Sequence, residues 1–450
     1  MRPPLYIHIP YCLKKCGYCD FFSKPSGSVP AEYVRAVARQ IDFLAREFCV
    51  EEWKSVYIGG GTPSLLEPSG LTELCRAVTA AAPLVSDCEW TIEVNPGSVS
   101  RKLLEAARAC GINRLSVGIQ CMNQKVLDAI ERRATVSQIE EAVSLAKNFW
   151  RGSWSADLIA GLPFQTKKDL ERDIDFVASN GADHVSLYSL TLEEGTALAK
   201  KIDRGEIPYD EEAAEDLWLY GRDLLEELGF LQYEVSNFAK PGFESRHNSA
   251  YWAQESYLGA GAGATGTIYG SPTGLRWTNV LDAAAYIKFW NAPVIARLDR
   301  AIPKGFTDLN GGDQKCSQAQ DAPQKALQDL NGAATPKGFT DQNAAAPLPF
   351  PCQCETLDIA TQEFEYIMTN LRTRRGACAE EYRERYGKDL FARLGLDKES
   401  SQAQKAAAQK GVTDKKAAAQ WVQKIERDGK NYYAMTREGL LFLNRFLEEL

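Results

Sequence analysis

Cys12, Cys16 and Cys19 form a C-x3-C-x2-C run directly behind the apolar stretch LYIHI (5–9). The chain has 12 cysteines, and Met1 to Phe22 shows no basic region followed by an apolar export segment. Reduced thiols are therefore expected, and a tight triplet of them reads as a metal site. Structural zinc needs four ligands, and the nearest imidazole, His8, belongs to the preceding stretch. Three thiolates on one short loop suit a 4Fe-4S cubane better. Each takes one iron, and the fourth iron keeps an exchangeable position for a small chelating ligand.

GGGTP, from Gly59 to Pro63, follows another apolar run. Residues without side chains there let backbone N–H groups approach and hydrogen-bond a carboxylate or amine; a tight turn is the plainer reading of the same glycines. Cys49, Cys75, Cys88, Cys110 and Cys121 are scattered singly through apolar or helical stretches, where a small buried hydrophobe is the usual role. Cys352 and Cys354 form a C-x-C pair beside a low-complexity stretch, with a metal or redox role as the alternative to a structural one.

The elements that must position these residues are legible from periodicity. LYIHI (5–9), SVYIG (55–59), TIEV (91–94), RLSVGI (114–119), ADLIAG (156–161) and HVSLYSL (184–190) read as strands. Amphipathic segments such as Ala31 to Phe48 and Val136 to Phe149 are long enough for crossover helices. Six βα repeats predict a parallel sheet, an α/β fold of the partial (β/α)6 TIM-like barrel kind. The unusual sequences stand where strands end: the cysteines after the first, GGGTPS after the second, Glu93 to Gly97 in the third, Gln120 after the fourth, Gly161-Leu162-Pro163 after the fifth. Barrels put their chemistry at that C-terminal rim.

The cysteine spacing resembles that of the radical S-adenosylmethionine (SAM) superfamily. The resemblance implies that the amino and carboxylate groups of SAM chelate the open iron, and that one electron from the cluster cleaves the sulfonium to give a 5'-deoxyadenosyl radical. LYIHIPYC, CGYCDFF, GGGTPS, EVNPG, SVGIQ, DLIAGLP, YEVSNFAKPG and HNSAYW are similar to the oxygen-independent coproporphyrinogen oxidase group, and within it to the haem-chaperone branch, the HemW family. By matching motif positions the resemblance implies Tyr6, Tyr18, Gly60, Gly61, Thr62, Glu93, Gln120, Arg132 and Asp157 as SAM-binding residues. A carboxylate pair, an amide and a guanidinium can satisfy a ribose diol, an adenine edge and a charged amino-acid tail. Two residues after Arg132 the related proteins usually carry histidine, where this chain has Ala134.

The oxidases of the group carry a further cysteine two residues after the third and an N-terminal extension; here position 21 is Phe and the cluster run begins at Cys12. The resemblance therefore points to the chaperone branch, whose H-N-x-x-Y-W motif is present as His247, Asn248, Tyr251 and Trp252. It implies haem as a further ligand, with His247 as candidate iron ligand and aromatic faces to cover a porphyrin. The implied function is to bind cluster, SAM and haem and to hand haem to an acceptor, such as a respiratory enzyme at the membrane, with an unnamed electron donor. The alternative is oxidative decarboxylation of coproporphyrinogen III to protoporphyrinogen IX; a radical-SAM enzyme on an unrelated substrate is a third reading.

A net charge of −8 and 44% hydrophobic residues argue for a large folded core and against nucleic acid as partner. No apolar run reaches the roughly 18 residues a membrane span needs, so a cytoplasmic protein that is not integral to a membrane is expected. Residues 1–299 are expected to form the barrel with its haem-related extension. Residues 300–354 turn rich in Ala, Gln, Asp, Lys and Gly and repeat PKGFTD at 303–308 and 336–341, which predicts a disordered insertion. From Glu355 to Leu450 a helix through Arg372, a helix at Ala379 to Tyr386, a hairpin turning at Asp428-Gly429 and a last helix capped by Thr436 predict a winged-helix-like domain. A second Ala/Gln/Lys-rich tract at 399–420 interrupts it.

Overall fold

The structure is a computed structural model, and it describes residues 1–293, 348–396, 421–448 and 450. Residues 300–347 of the insertion and the whole tract at 399–420 lie outside the described residues. Six parallel strands form where alternating apolar runs predict them: β1 (Pro4–Ile9), β2 (Trp53–Gly60), β3 (Leu84–Val94), β4 (Arg114–Gln120), β5 (Ser153–Ala160) and β6 (His184–Ser189). Each pairs with the next. Register puts Leu5 beside Val56 and Ile7 beside Ile58, all fully buried, and Ile58 beside Ile92. That face packs under the helices. The other face carries Tyr6 beside Tyr57, Glu93 beside Ser116, and Asp157 between Gly118 and Ser186, so it is polar and faces the barrel interior.

Crossover helices start where local chemistry starts them. Val136–Phe149 and Lys167–Ser179 both open on capping boxes, Thr135 with Gln138 and Thr166 with Asp169, which satisfy two otherwise orphaned N–H groups apiece.

The sheet is wider than six strands. β7 (Leu231–Gln232), β8 (Asn237–Ala239) and β9 (Leu258–Ala260) extend it to the order β9-β1-β2-β3-β4-β5-β6-β8-β7. β9 runs parallel to β1, while β8 is antiparallel to β6 and β7 to β8. These strands of two or three residues are too short to show a period in sequence. The edge β7–β8 pairing leaves the barrel open.

Beyond the barrel, β10 (Thr265–Ile268), β11 (Gly274–Asn279) and β12 (Cys352–Leu357) form an antiparallel sheet in that order. The boundary expected at 354/355 therefore falls inside a strand, and residues 348–354 of the expected disordered insertion are folded. The helix expected from Glu355 begins only at Ile359, because Asp358 caps it through a hydrogen bond from the Thr361 N–H. β13 (Ala377–Cys378), β14 (Val422–Arg427) and β15 (Lys430–Met435) make a small sheet, order β13-β15-β14, turning at Asp428 and Gly429 in left-handed conformation. With the helices Ile359–Asn370 and Ala379–Tyr386 it encloses a second core around Tyr366, Tyr382, Met435 and Phe446. Among the described residues no helix is long and apolar enough to cross a membrane.

Candidate functional site

The cysteine loop leaves β1 and is tied down along its length. Its start pairs with its end, since the Lys24 N–H donates to the Pro10 carbonyl (2.7 Å) and the Ser26 N–H to the Cys12 carbonyl (2.8 Å). In the middle the Gly17 N–H donates to the Ile130 carbonyl (2.8 Å), and a Cβ on Gly17 would stand 3.2 Å from that oxygen. His8 closes it from below. Its Nε2 lies 3.0 Å from the Phe22 carbonyl, which can only accept, so Nε2 carries the proton and Nδ1 accepts from the Tyr6 hydroxyl at 2.9 Å. Burial depresses the His8 pKa and keeps the ring neutral, with the Phe22 hydrogen bond working the other way.

Around this loop the strand ends bring the expected residues together. The Thr62 hydroxyl points at Cys12 Sγ (3.4 Å), and Arg132 reaches Cys16 Sγ with Nη1 (3.7 Å) while Nη2 donates to the Gly118 carbonyl (2.7 Å). Tyr18 lies within electrostatic range of Arg132, Cys16 and Asp157. Glu93 accepts from the Tyr57 hydroxyl (2.9 Å) and the Gly60 N–H (3.0 Å). Burial, with repulsion from Asp157, pushes its carboxyl up to about 7. Asp157 is raised by burial as well, although it accepts from the Ser116 hydroxyl at 3.0 Å. Gly60 must be glycine: its φ is +111°, and a Cβ would come 2.5 Å from His8 Nδ1. At Gly61 a Cβ would sit 2.8 Å from the Tyr11 backbone.

Two buried polar atoms here have no partner: Gln120 Oε1 and Arg132 Nε. Gln120 is held in the left-handed region, φ +64°, where β4 slips register against β5 beyond Gly118. Strain of ~1–3 kcal/mol at such a residue is a recurrent feature of ligand sites, and a bound ligand or water would satisfy the amide oxygen. A pocket of about 90 Å3 lined by Cys16, Thr62, Asn95, Arg132 and Gln138, among others, opens at this rim. A broader open groove, about 1020 Å3, lies against Lys167–Ser179 on the outside, away from these residues.

The donor set fits a cluster and SAM. Every cysteine among the described residues is an unbridged thiol. Among the described residues no three Cys, His or carboxylate groups gather around a point that a single metal ion could fill; a cubane asks for something different, one sulfur per iron with the sulfurs spread apart. The unpaired amide oxygen and guanidinium N–H beside Cys16 and the neutralisable Glu93 suit a zwitterionic, hydrogen-bonding ligand. Sequence reasoning missed the residues that hold this set in place: His8, Tyr57 and Ser116. Their signal was alternation, each being the inward member of its strand.

His247 stands elsewhere. It lies on the short helix Arg246–Trp252, beneath the N-terminal half of β2, 1% exposed. Nδ1 is 2.9 Å from the Ser55 hydroxyl, Nε2 is 2.8 Å from the Tyr251 hydroxyl, and its N–H donates to Glu89 (2.9 Å). Burial lowers the ring pKa to about 3. Both nitrogens are engaged, so the expected haem ligation by His247 has no free lone pair and no approach in this structure. His184 is equally occupied, by Ser155 (2.7 Å) and Tyr233 (2.9 Å), as is His8, and the sequence has no other histidine.

The match to known proteins agrees with this geometry. Residues 6–177 fit the model of the Radical SAM superfamily. The chain is 35% identical over 300 residues to the Lactococcus lactis protein named heme chaperone HemW, covering 66% of this chain and 76% of that one. The chain belongs to the HemW family of radical SAM proteins. Membership of the superfamily implies a 4Fe-4S cluster and SAM as cofactors. It is also 40% identical over 267 residues to the bovine "Radical S-adenosyl methionine domain-containing protein 1, mitochondrial", and spans 60% of that protein's length. Among solved structures, the Escherichia coli coproporphyrinogen III oxidase HemN superposes with a TM-score of 0.68 at 18% identity, covering 99% of this chain and 89% of that one. That likeness establishes the fold, a radical-SAM partial barrel.

Proposed function

We propose that the chain is a haem chaperone: it holds a 4Fe-4S cluster on Cys12, Cys16 and Cys19, binds SAM and haem, and passes haem to acceptor proteins in the cytoplasm or at the membrane surface. Tyr6, Tyr18, Gly60, Gly61, Thr62, Glu93, Gln120, Arg132 and Asp157 are the proposed SAM residues. The cluster supplies a single electron to SAM when both are bound. The chain's own contribution is orientation and charge: Arg132 faces the cluster thiols, Gln120 and Arg132 offer unpaired hydrogen-bonding groups, and Glu93 accepts hydrogen bonds as carboxylate or donates one as acid near neutral pH.

One observation carries the reading. The residue after Asp20, where the oxidases of the group bear their extra cysteine, is Phe21, and its ring is 72% exposed beside the cluster loop. Phe21 has no sulfur to offer beside Cys19, so the residue that marks the oxidases is missing here, which favours the chaperone reading. All three imidazoles are engaged in hydrogen bonds, so a haem iron taken up by His247 has to displace the Ser55 or the Tyr251 hydroxyl first.

The test is anaerobic incubation of reduced, cluster-loaded protein with SAM and coproporphyrinogen III, with product followed by mass spectrometry, beside a haem titration followed in the Soret region. Stoichiometric haem binding without protoporphyrinogen supports the chaperone reading. Repeated turnover would replace it with oxidative decarboxylation.

A further inference from the structure

Cys352 and Cys354 face the same side of β12, whose one neighbour in its sheet among the described residues is β11. Their sulfurs are 3.4 Å apart, closer than two unrelated side chains at i and i+2 need to be. Both are half-buried, so solutes reach them while water does not surround them. The two sulfurs share a hydrogen bond, and Cys354 also receives the Leu348 N–H; together these lower the Cys354 thiol to about 6 against the opposing pull of burial, while Cys352 is raised. One proton is thus shared by two sulfurs, and the charge favours Cys354.

We propose that Cys352 and Cys354 form a dithiol exchange site that reacts reversibly with low-molecular-weight disulfides. Cys354 thiolate attacks one sulfur of the small disulfide, the S–S bond breaks, and one small thiolate leaves with a mixed disulfide on Cys354. Cys352, giving up its proton to solvent, then attacks Cys354 Sγ, forms the Cys352–Cys354 bond and expels the second small thiolate. Both released thiolates are protonated, so two protein thiols are oxidised and one small disulfide is reduced to two thiols.

The strand sets the character of the product. Two residues of extended chain span about 6.6 Å between Cα atoms, at the long end of what a disulfide bridges, about 4.4–6.8 Å. Closure strains β12, and a strained bond is readily reduced again. Among the described residues β12 is paired on one side, and a strand paired on one side bends without breaking a second ladder. The site lies apart from the cluster cysteines, and it does not depend on the haem-chaperone reading.

Trypsin isolates the pair, because residues 338–372 contain no internal Lys or Arg and no cysteine besides Cys352 and Cys354. Cluster-loaded protein is held anaerobically at pH 6 with glutathione disulfide, quenched by alkylation and digested. The expected product is this peptide short of two hydrogens. Cys352→Ser is expected to stop at a glutathione adduct on Cys354, and Cys354→Ser to give no internal bond. At pH 6 about half of Cys354 is thiolate against about 0.3% of an ordinary thiol. Lower intrinsic nucleophilicity offsets roughly tenfold of that, leaving Cys354 to alkylate about ten times faster than in the urea-unfolded chain. Equal rates folded and unfolded, or an adduct that settles on Cys352, would overturn the assignment; an intact cluster spectrum reports folding in the native arm, and its loss reports unfolding in the urea arm.

Discussion

Replacing Glu93 by Gln separates what the site requires from what the fold prefers. The folded-state pKa of about 7 lies above the ordinary carboxyl value of 4.5. An acid raised in this way favours the folded state fully only below the unfolded pKa, and that contribution is lost as pH rises from about 4.5 through about 7. Linkage makes the loss about 0.8 kcal/mol at pH 5 and about 3.3 kcal/mol at pH 8, a change of about 2.5 kcal/mol, which solvent reaching the half-buried carboxyl reduces toward about 1. Gln cannot ionise, so Glu93→Gln is expected to gain that amount relative to the parent between the two pH values. The variant also loses acceptance from either the Tyr57 hydroxyl or the Gly60 N–H, costing about 1–3 kcal/mol at every pH. That offset cancels in the pH difference. Denaturant melts of both proteins at pH 5 and pH 8 measure it. A stability gap between variant and parent that does not change with pH refutes the argument, because the Glu93 carboxyl would then titrate as an exposed one.

Gln120→Ala is expected to leave stability within about 0.5 kcal/mol, since its Oε1 satisfies nothing in the protein, while weakening SAM binding about tenfold; calorimetric titration beside a melt separates the two effects. Gly60→Ala brings a Cβ against the His8 ring and strains a positive φ, so a loss of about 3 kcal/mol or more and poor cluster retention are expected, read by melting and iron content. Cys12, Cys16 and Cys19 replaced singly by Ser should abolish the cluster's visible absorbance, whereas Cys88→Ala should retain it. His247→Ala strands the Ser55 and Tyr251 hydroxyls and is expected to cost about 2–4 kcal/mol while leaving the haem Soret position unchanged; a Soret shift would mean that the ring leaves this pocket to reach iron.

The C-x3-C-x2-C spacing, the strand alternation from Leu5 to Leu190 and the placing of polar residues at strand ends were legible because each depends on neighbours within a few residues. Chain-local chemistry determined the six parallel strands, the capped crossover helices, the hairpin at Asp428-Gly429 and the set of residues collected at one rim. The three-residue strands β8 and β9, the pairing of Cys352–Leu357 with Gly274–Asn279, and the clamp from His8 to Phe22 were decided only by tertiary structure, since each partner is remote or each element too short to carry a period. His247 shows the difference most plainly. A motif names an imidazole and aromatic neighbours, but whether a ring nitrogen keeps its lone pair for iron depends on what packs against it. Ser55 lies 192 residues away in sequence and 2.9 Å away in space, and its hydroxyl, with that of Tyr251, makes His247 part of the barrel's floor.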